Sequence, residues 1–425
     1  MAQLSDDCFA FSGPLMPIAE MERLIRERVQ PVAEIERVSL REAAGRVLAS
    51  DLAAAIDLPP FDNSAVDGYA LRHADLNARA ETRLAIVDRV AAGQGAARGA
   101  GPGEAIRIFT GAPMPPGADT VVMQEDVRLD GDRVVVPTGL GRGANTRLAG
   151  EDIRAGAVML PAGQRLSPQD MALAAAQGMT ELPVRRRVAV ALFSTGDEVI
   201  EPGQVRPPNA IYDANRFLLL ALLEKLGARV TDLGILRDDP DALAAALAAA
   251  ADGHDLVLTS GGVSTGEADH VRTAVERAGR LVFWRIAIKP GRPVAMGVLP
   301  ARDSIGQAAF VGLPGNPAAV FVTFVRVVRP LLLRLAGATP HPLVALPVRA
   351  AFAYRKKKGR REYVRASLRR SSDGAVIEAV KFAQDGAGVI TSLTQTDGLV
   401  ELSEDTTSVA PGATVGFLSY ADMTE

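Results

Sequence analysis

Apolar residues recur at three- and four-residue spacing through residues 17–29, where Ile18, Met21, Leu24 and Ile25 mark one face of an expected helix. Ser39 followed by Glu42 has the form of a capping box and predicts a second helix running through Leu48. Between residues 51 and 150 the pattern changes. Short β-type runs at 84–90, 105–109, 120–123 and 133–136 are separated by Gly and Pro clusters, which predicts a small all-β unit inserted in the chain. Helical signals return at 167–178, with Ser167 as the cap and Pro168 at the first helical position. From 188 to 337 apolar strands (188–193, 229–236, 256–259, around 282–288, 308–312) alternate with helices (213–226, from Asp241, from Asp269, 316–335). That alternation predicts a mostly parallel sheet with helices on both faces. Residues 340–425 alternate like strands around a Lys/Arg-rich turn and read as a small β domain.

The fold class expected is therefore multidomain α/β plus β. A discontinuous helical domain comprises 17–50 and 150–185, an inserted β domain 51–149, an α/β domain 186–337 and a C-terminal β domain 338–425. A chain of 425 residues is long enough for about three cores, so several domains are expected on length as well.

Composition narrows the chemistry. Lys and Arg total 47 against 50 Asp and Glu, a net charge of -3 that supplies no global field for nucleic acid or an anionic membrane. The single cysteine, Cys8, excludes an internal disulfide, and four scattered histidines lack metal-ligand spacing, so any metal site should use oxygen ligands. Residues 1–16 carry no basic leader and read as a loose tail. The apolar runs at 217–223 and 242–251 fall short of the roughly 20 residues needed to cross a bilayer. A soluble, cytoplasmic protein is expected.

In an open α/β sheet, ligands bind beyond the carboxyl ends of the strands. The residues there are Ser194, Thr195, Gly196, Asp197 and Glu198; Arg237 to Pro240; Ser260, Gly261, Gly262, Val263, Ser264 and onward to Asp269; Lys289 to Pro293; and Leu313, Pro314, Gly315, Asn316 and Pro317. The Gly-Gly-x-Ser loop reads either as a tight strand-to-helix turn or as a phosphate cradle at a helix N-terminus. Lys289 and Arg292 read either as a solvated turn or as donors to an oxyanion. Glu198, Asp238 and Asp269 would repel such an anion unless a cation such as Mg2+ bridges them. The competing account makes the aspartates of these loops, with Asp213 and Asp241, helix caps. Within the β unit, residues 59–70 and 110–115 pack acids and hydroxyls into short loops that turn chemistry can also explain. The run 355–361 reads as a solvated basic hairpin tip or an anion site; only Tyr354 and Tyr363 accompany it, too little aromatic surface for nucleic acid.

The ordered stretches FDNSAVDGYA, TGAPMP, GEDI, FSTGDE, RDDP, SGGVSTGEAD, IKPGRP and LPGNP resemble the molybdopterin molybdenumtransferase family, to which the gephyrin E domain is similar. The resemblance covers nearly the whole chain from about residue 17. It implies an elongated four-domain homodimer whose α/β domain binds molybdopterin and whose cleft reaches the partner subunit. By motif it implies Asp67, Thr110, Asp152, Glu198, Asp238 and Asp269 as catalytic positions, the last three also facing Mg2+. It implies substrate contacts from Ser194, Thr195, Gly196, Asp197, Ser260, Gly261, Gly262, Ser264, Arg285, Lys289, Arg292, Pro314, Gly315, Asn316, Pro317 and Arg361. Arg292 stands where many relatives carry a second lysine, which keeps the charge and changes the hydrogen-bond geometry. The reaction implied is exchange of the adenylyl group of adenylylated molybdopterin for molybdate, releasing AMP. An upstream molybdopterin adenylyltransferase, apo-molybdoenzymes and their chaperones are further partners that the resemblance suggests. Adenylylation of molybdopterin and a non-catalytic scaffold are the competing functions.

Overall fold

The computed structural model describes residues 15–32, 34–263, 270–301, 306–371, 374 and 376–424. Contacts divide the chain into two compact units, one of Met1–Ala49, Gly163–Ser167 and Leu182–Glu425, the other of Ser50–Ala162 and Pro168–Glu181.

The first unit is built on a six-stranded sheet ordered Arg229–Leu236, Ala189–Thr195, Leu256–Ser260, Gln307–Leu313, Pro293–Pro300, Arg280–Arg285. The first four strands are mutually parallel. Every residue of Ala189–Thr195 is buried, as an unbroken apolar run in a doubly covered sheet requires. Alternate residues serve the two faces. Val190, Leu192, Leu256 and Leu258 face the helices Ile18–Arg28, Asn215–Lys225 and Pro317–Thr323 with its continuation, while Ala191, Phe193 and Val257 face Pro240–Ala251 and His270–Ala278.

Two expectations need correction, and one strand was missed. The sheet is mostly parallel, as expected, but includes Pro293–Pro300, a strand antiparallel to both its neighbours that the sequence pattern did not reveal. Its Pro-Val-Ala-Met-Gly-Val-Leu-Pro sequence carries a glycine and terminal prolines that disguise a strand as a loop. The helix expected over 39–48 is one turn, Leu40–Ala43, preceded by the strand Ile35–Ser39. Gly45 at φ +75° leaves helical space, and Val47 and Leu48 then bridge to Arg165 and Val184. The basic run is no hairpin tip: Tyr354–Arg355 pairs with Ser408–Val409, whereas Arg361–Arg370 pairs with Ile377–Lys381 and Gly398–Leu402. Lys356 within that run donates to the carbonyls of Ser403 and Thr406, both at 2.8 Å.

The C-terminal strands form a sheet that closes on itself, since Gly398–Leu402 pairs with both Thr414–Ser419 and Arg361–Arg370. Phe417, Val400 and Ala366 fill its interior. A short parallel pairing of Ile288–Lys289 with Arg361 and Glu362 ties the loop after Arg285 to this sheet.

In the second unit six strands are ordered Thr120–Met123, Gly68–Leu71, Glu104–Ile108, Thr82–Val90, Arg133–Val136, Arg128–Asp130. Its two faces bury separate cores, one around Leu71, Leu84 and Val134, the other around Val90, Ile106 and Val121. No helix among the described residues is long and apolar enough to cross a membrane.

Candidate functional site

Because the first four strands of the order are parallel, Thr195, Leu236, Ser260 and Leu313 end at one edge of the sheet. The two antiparallel pairings bring the end of Arg280–Arg285 and the start of Pro293–Pro300 to that same edge. The loops singled out from sequence thus share an edge.

One group there is acidic. Thr195 donates its hydroxyl to Asp238 at 3.3 Å. Burial pushes the Asp238 carboxyl above its ordinary value; His270 and Thr195 counter this, and the charges of Asp197 and Glu198 add to the rise. Asp239, rather than Asp238, caps Pro240–Ala251, accepting from the Ala242 amide at 2.7 Å. Asp213 accepts from the Arg216 amide at 3.1 Å and pairs with its guanidinium, and Asp241 pairs with Arg277, so these two have structural partners. Asp238 is left without a capping task. Two glycines bring the neighbouring loop close: at Gly261, φ +94°, a Cβ would lie 2.2 Å from the Thr195 carbonyl oxygen, and at Gly262, φ +67°, 2.3 Å from Val271 Cγ2. Ser194 is buried, with a hydroxyl that finds no partner among the described residues. Ser264 and Asp269 lie outside the described residues. Among the described residues no group of three or more His, Cys, Asp or Glu forms a metal cluster.

The other group is basic and lines a cavity of about 270 Å³. Lys289, Gly291, Arg292, Pro314 and Asn316 form one side, and Tyr363, Arg365, Lys381 and Gln384 of the C-terminal sheet form the other. Gly291 stands at φ +106°, where a Cβ would meet Thr323 Cγ2 at 2.4 Å. Lys289 Nζ reaches Tyr354 Oη and Glu362 Oε2, each at 3.3 Å. Glu362, almost wholly buried, also accepts from Tyr354 at 2.9 Å and Arg360 at 2.7 Å. Burial raises its carboxyl, yet these donors and the Lys289 charge hold it below the ordinary value. Arg292 is exposed and has no ion pair among the described residues. Asn316 and Pro317 open the helix Pro317–Thr323, and the Gly315 carbonyl accepts from Asn215 at 2.7 Å. Arg285, at the strand end, is exposed but does not line the cavity.

Sequence reasoning missed Arg365. It is 6% exposed, donates to Ser392 Oγ at 3.0 Å and to the carbonyls of Gln384 and Gly386, and has no carboxylate partner among the described residues. No local signal pointed to it; only the pairing of Arg361–Arg370 with Ile288–Lys289 and Gly398–Leu402 brings it to this wall. Arg361 itself pairs with Glu401 at 3.3 Å and Glu404 at 3.1 Å and lines a different cavity.

Within the second unit, Asp67 and Thr110 come together. Asp67 Oδ1 accepts from both the amide and the hydroxyl of Thr110, at 2.8 Å each. The amide, then the hydroxyl, hold Asp67 below its ordinary value, with a smaller share from the Arg107 charge. Asp152 is exposed, and its amide donates to the Leu58 carbonyl at 3.0 Å; no hydrogen bond joins it to Asp67 or Thr110.

Known proteins share this organisation. Residues 16–178 match the MoeA N-terminal region (domain I and II), 191–334 a probable molybdopterin binding domain, and 347–420 the MoeA C-terminal region (domain IV). The molybdopterin molybdenumtransferase of Haemophilus influenzae is 37% identical over 389 residues, covering 90% of this chain and 93% of the relative. The protein of that name from a Nostoc species is 36% identical over 387 residues, 90% of this chain and 88% of its own. The crystal structure of a molybdopterin biosynthesis MoeA protein from Pyrococcus horikoshii superimposes with a TM-score of 0.78 at 31% identity, over 96% of this chain and all of that one. The chain belongs to the molybdopterin molybdenumtransferase family.

Proposed function

We propose that the protein inserts molybdenum into adenylylated molybdopterin, with molybdate as the second substrate and AMP as the released product. The observation that carries this reading is the basic cavity, in which Lys289, Arg292 and Arg365 converge beside the Pro314–Asn316 turn, with no carboxylate among the described residues bonded to either arginine. Lys289 and Arg365 are pre-positioned, the first by Glu362 and Tyr354, the second by Ser392 and two carbonyls. Such donors suit a tetrahedral dianion, and an arginine fork adds bidentate contacts. The pyrophosphate is assigned to the Gly261–Gly262 turn, whose backbone approaches closely. The dithiolate of the pterin supplies the sulfur ligands, which agrees with a chain holding a single cysteine.

Mg2+ is assigned to the acidic group. The raised Asp238 carboxyl beside Asp197 and Glu198 is the repulsive arrangement that a divalent cation relieves, so these residues suit the ion. When bound, Mg2+ supplies charge neutralisation and polarisation of the pyrophosphate. Glu198, Asp238 and Asp269 are the proposed oxygen ligands; Asp67, Thr110 and Asp152, which lie in the second unit, are further proposed catalytic positions. A cytoplasmic homodimer completes the proposal, and an upstream adenylyltransferase, apo-molybdoenzymes and their chaperones are its further partners.

The test is AMP release from purified adenylylated molybdopterin with Mg2+, with and without molybdate. Molybdate-dependent release with molybdenum on the pterin is expected. Tight binding without release establishes a scaffold instead, and AMP transfer from ATP an adenylyltransferase. Arg365→Met should raise the apparent KM for molybdate by about tenfold, as the loss of one charged hydrogen-bond donor implies.

A further inference from the structure

We infer that a second cavity in the first unit, of about 410 Å³, is a binding site for a small amphiphilic oxyanion, a carboxylate or phosphate group carried on an apolar body. It shares no lining residue with the basic cavity beside Lys289. Its volume lies in the range of small-ligand sites, roughly 300–1,000 Å³.

Five arginines and two glutamates line its walls, with Arg361 also paired to Glu404 and Arg334 donating to the Val29 carbonyl at 2.8 Å. Both acids are already engaged. Glu22 accepts from Arg326 Nη2 at 2.9 Å, while Glu401 accepts from Arg361 at 3.3 Å and from Tyr363 at 3.0 Å. Arg326 Nε is buried and finds no hydrogen-bond partner among the described residues. A buried donor left unpaired is costly, so this guanidinium, held by Glu22 through Nη2, sits in the wall at a local cost to the fold. Arg329 is held below its ordinary value first by burial, then by the charges of Arg165 and Arg326. At the rim, Arg26 is exposed and has no ion pair among the described residues.

The remaining walls require an apolar body. Ile25, Val325, Leu333 and Leu343 line the cavity beside these arginines. Backbone geometry supplies an independent indication. The helix that starts at Pro317 is interrupted by a π-helical turn, Phe324–Val328, before continuing as Arg329–Leu335. Such turns shift the phase of the side chains and recur at functional sites. Here the shifted turn places Val325 and Arg326 in the cavity wall.

Fluorescence titration of the full chain with 8-anilinonaphthalene-1-sulfonate, whose sulfonate stands in for the oxyanion, tests the assignment. Saturable one-to-one binding with Kd on the order of 10–100 µM is expected. Displacement should follow charge, with 4-phenylbutyrate and phenyl phosphate competing and 4-phenylbutanol failing; the better of the two anions identifies the head group. Arg26→Ala removes no internal bond and so leaves the fold intact, and should weaken binding by about fivefold. Leu333→Ser should weaken it through the apolar wall. Absence of saturable binding overturns the assignment, as does equal displacement by the neutral alcohol. So does competition by molybdate together with loss in Arg365→Met, which puts the probe in the other cavity.

Discussion

At the scale of single residues, Asp238 shows how a site can be held against its own stability. Burial and the charges of Asp197 and Glu198 raise its folded-state pKa above that of an unfolded aspartate, about 3.9. A raised folded value means the native chain binds more protons in that window. The contribution of Asp238 is therefore favourable below the unfolded value and is lost as pH rises through the raised one. At pH 7, without a divalent cation, Asp238→Asn should raise the melting temperature by about 1–2 °C, small because a half-exposed group is screened by water. The same variant should lose the stabilisation that Mg2+ gives the unmodified chain. Thermal scans with and without Mg2+ check both, and a lower melting temperature in the metal-free variant would show that the acids do not repel. Gly261 carries the opposite sign. Alanine there meets the Thr195 carbonyl and an unfavourable φ of +94°, so Gly261→Ala should cost about 2–4 kcal/mol in urea unfolding, whatever the cation.

At the scale of elements, the strand ends were legible and the strand partners were not. Apolar runs closed by polar or glycine residues located Ala189–Thr195, Leu256–Ser260 and Gln307–Leu313 to within two residues or so, because a doubly covered strand must be continuously apolar; the edge strand Arg229–Leu236, which buries none of its residues, was located by its β-type pattern between two helices. Pro293–Pro300 escaped because its punctuation is that of a loop, and with it escaped the one antiparallel strand of the sheet. The basic run was misread for a related reason. Local sequence shows that a turn follows Arg355 but cannot show that the flanking strands pair elsewhere, with Ser408–Val409 and with Gly398–Leu402. Arg365 needed that long-range knowledge too, since only the closed sheet brings it to the wall that Lys289 faces. The pairing of Ile288–Lys289 with Arg361 and Glu362 is the element that fixes this wall. Glu362→Gln keeps the shape but removes the negative charge that holds Lys289 and Arg360. Its expected effect is a rise in the apparent KM for molybdate of about three- to tenfold with little change in kcat, because it relaxes the donors rather than removing one. A loss confined to kcat would assign Glu362 to chemistry instead.

For the whole molecule, the separate cores predict how it comes apart. The second unit, Ser50–Ala162 with Pro168–Glu181, buries Leu84 and Val134 on one face of its sheet and Ile106 and Val121 on the other. None of these residues belongs to the cores of the α/β sheet, where Val190 and Phe193 lie on opposite faces. Each unit therefore has its own cooperative burial, the condition under which a chain unfolds domain by domain rather than in one step. Calorimetry should accordingly resolve two transitions. Leu84→Ala, which removes a side chain 1% exposed, should destabilise the second unit by about 2–5 kcal/mol and shift its transition while leaving the other in place. Oxyanion binding supplies the reciprocal mark. Molybdate at high concentration should raise the transition of the first unit, which contains Lys289, Arg292 and Arg365, because a ligand stabilises the body that binds it. A single transition displaced by Leu84→Ala and molybdate alike would mean that the two units fold as one cooperative body, with coupling between them stronger than the separate cores suggest.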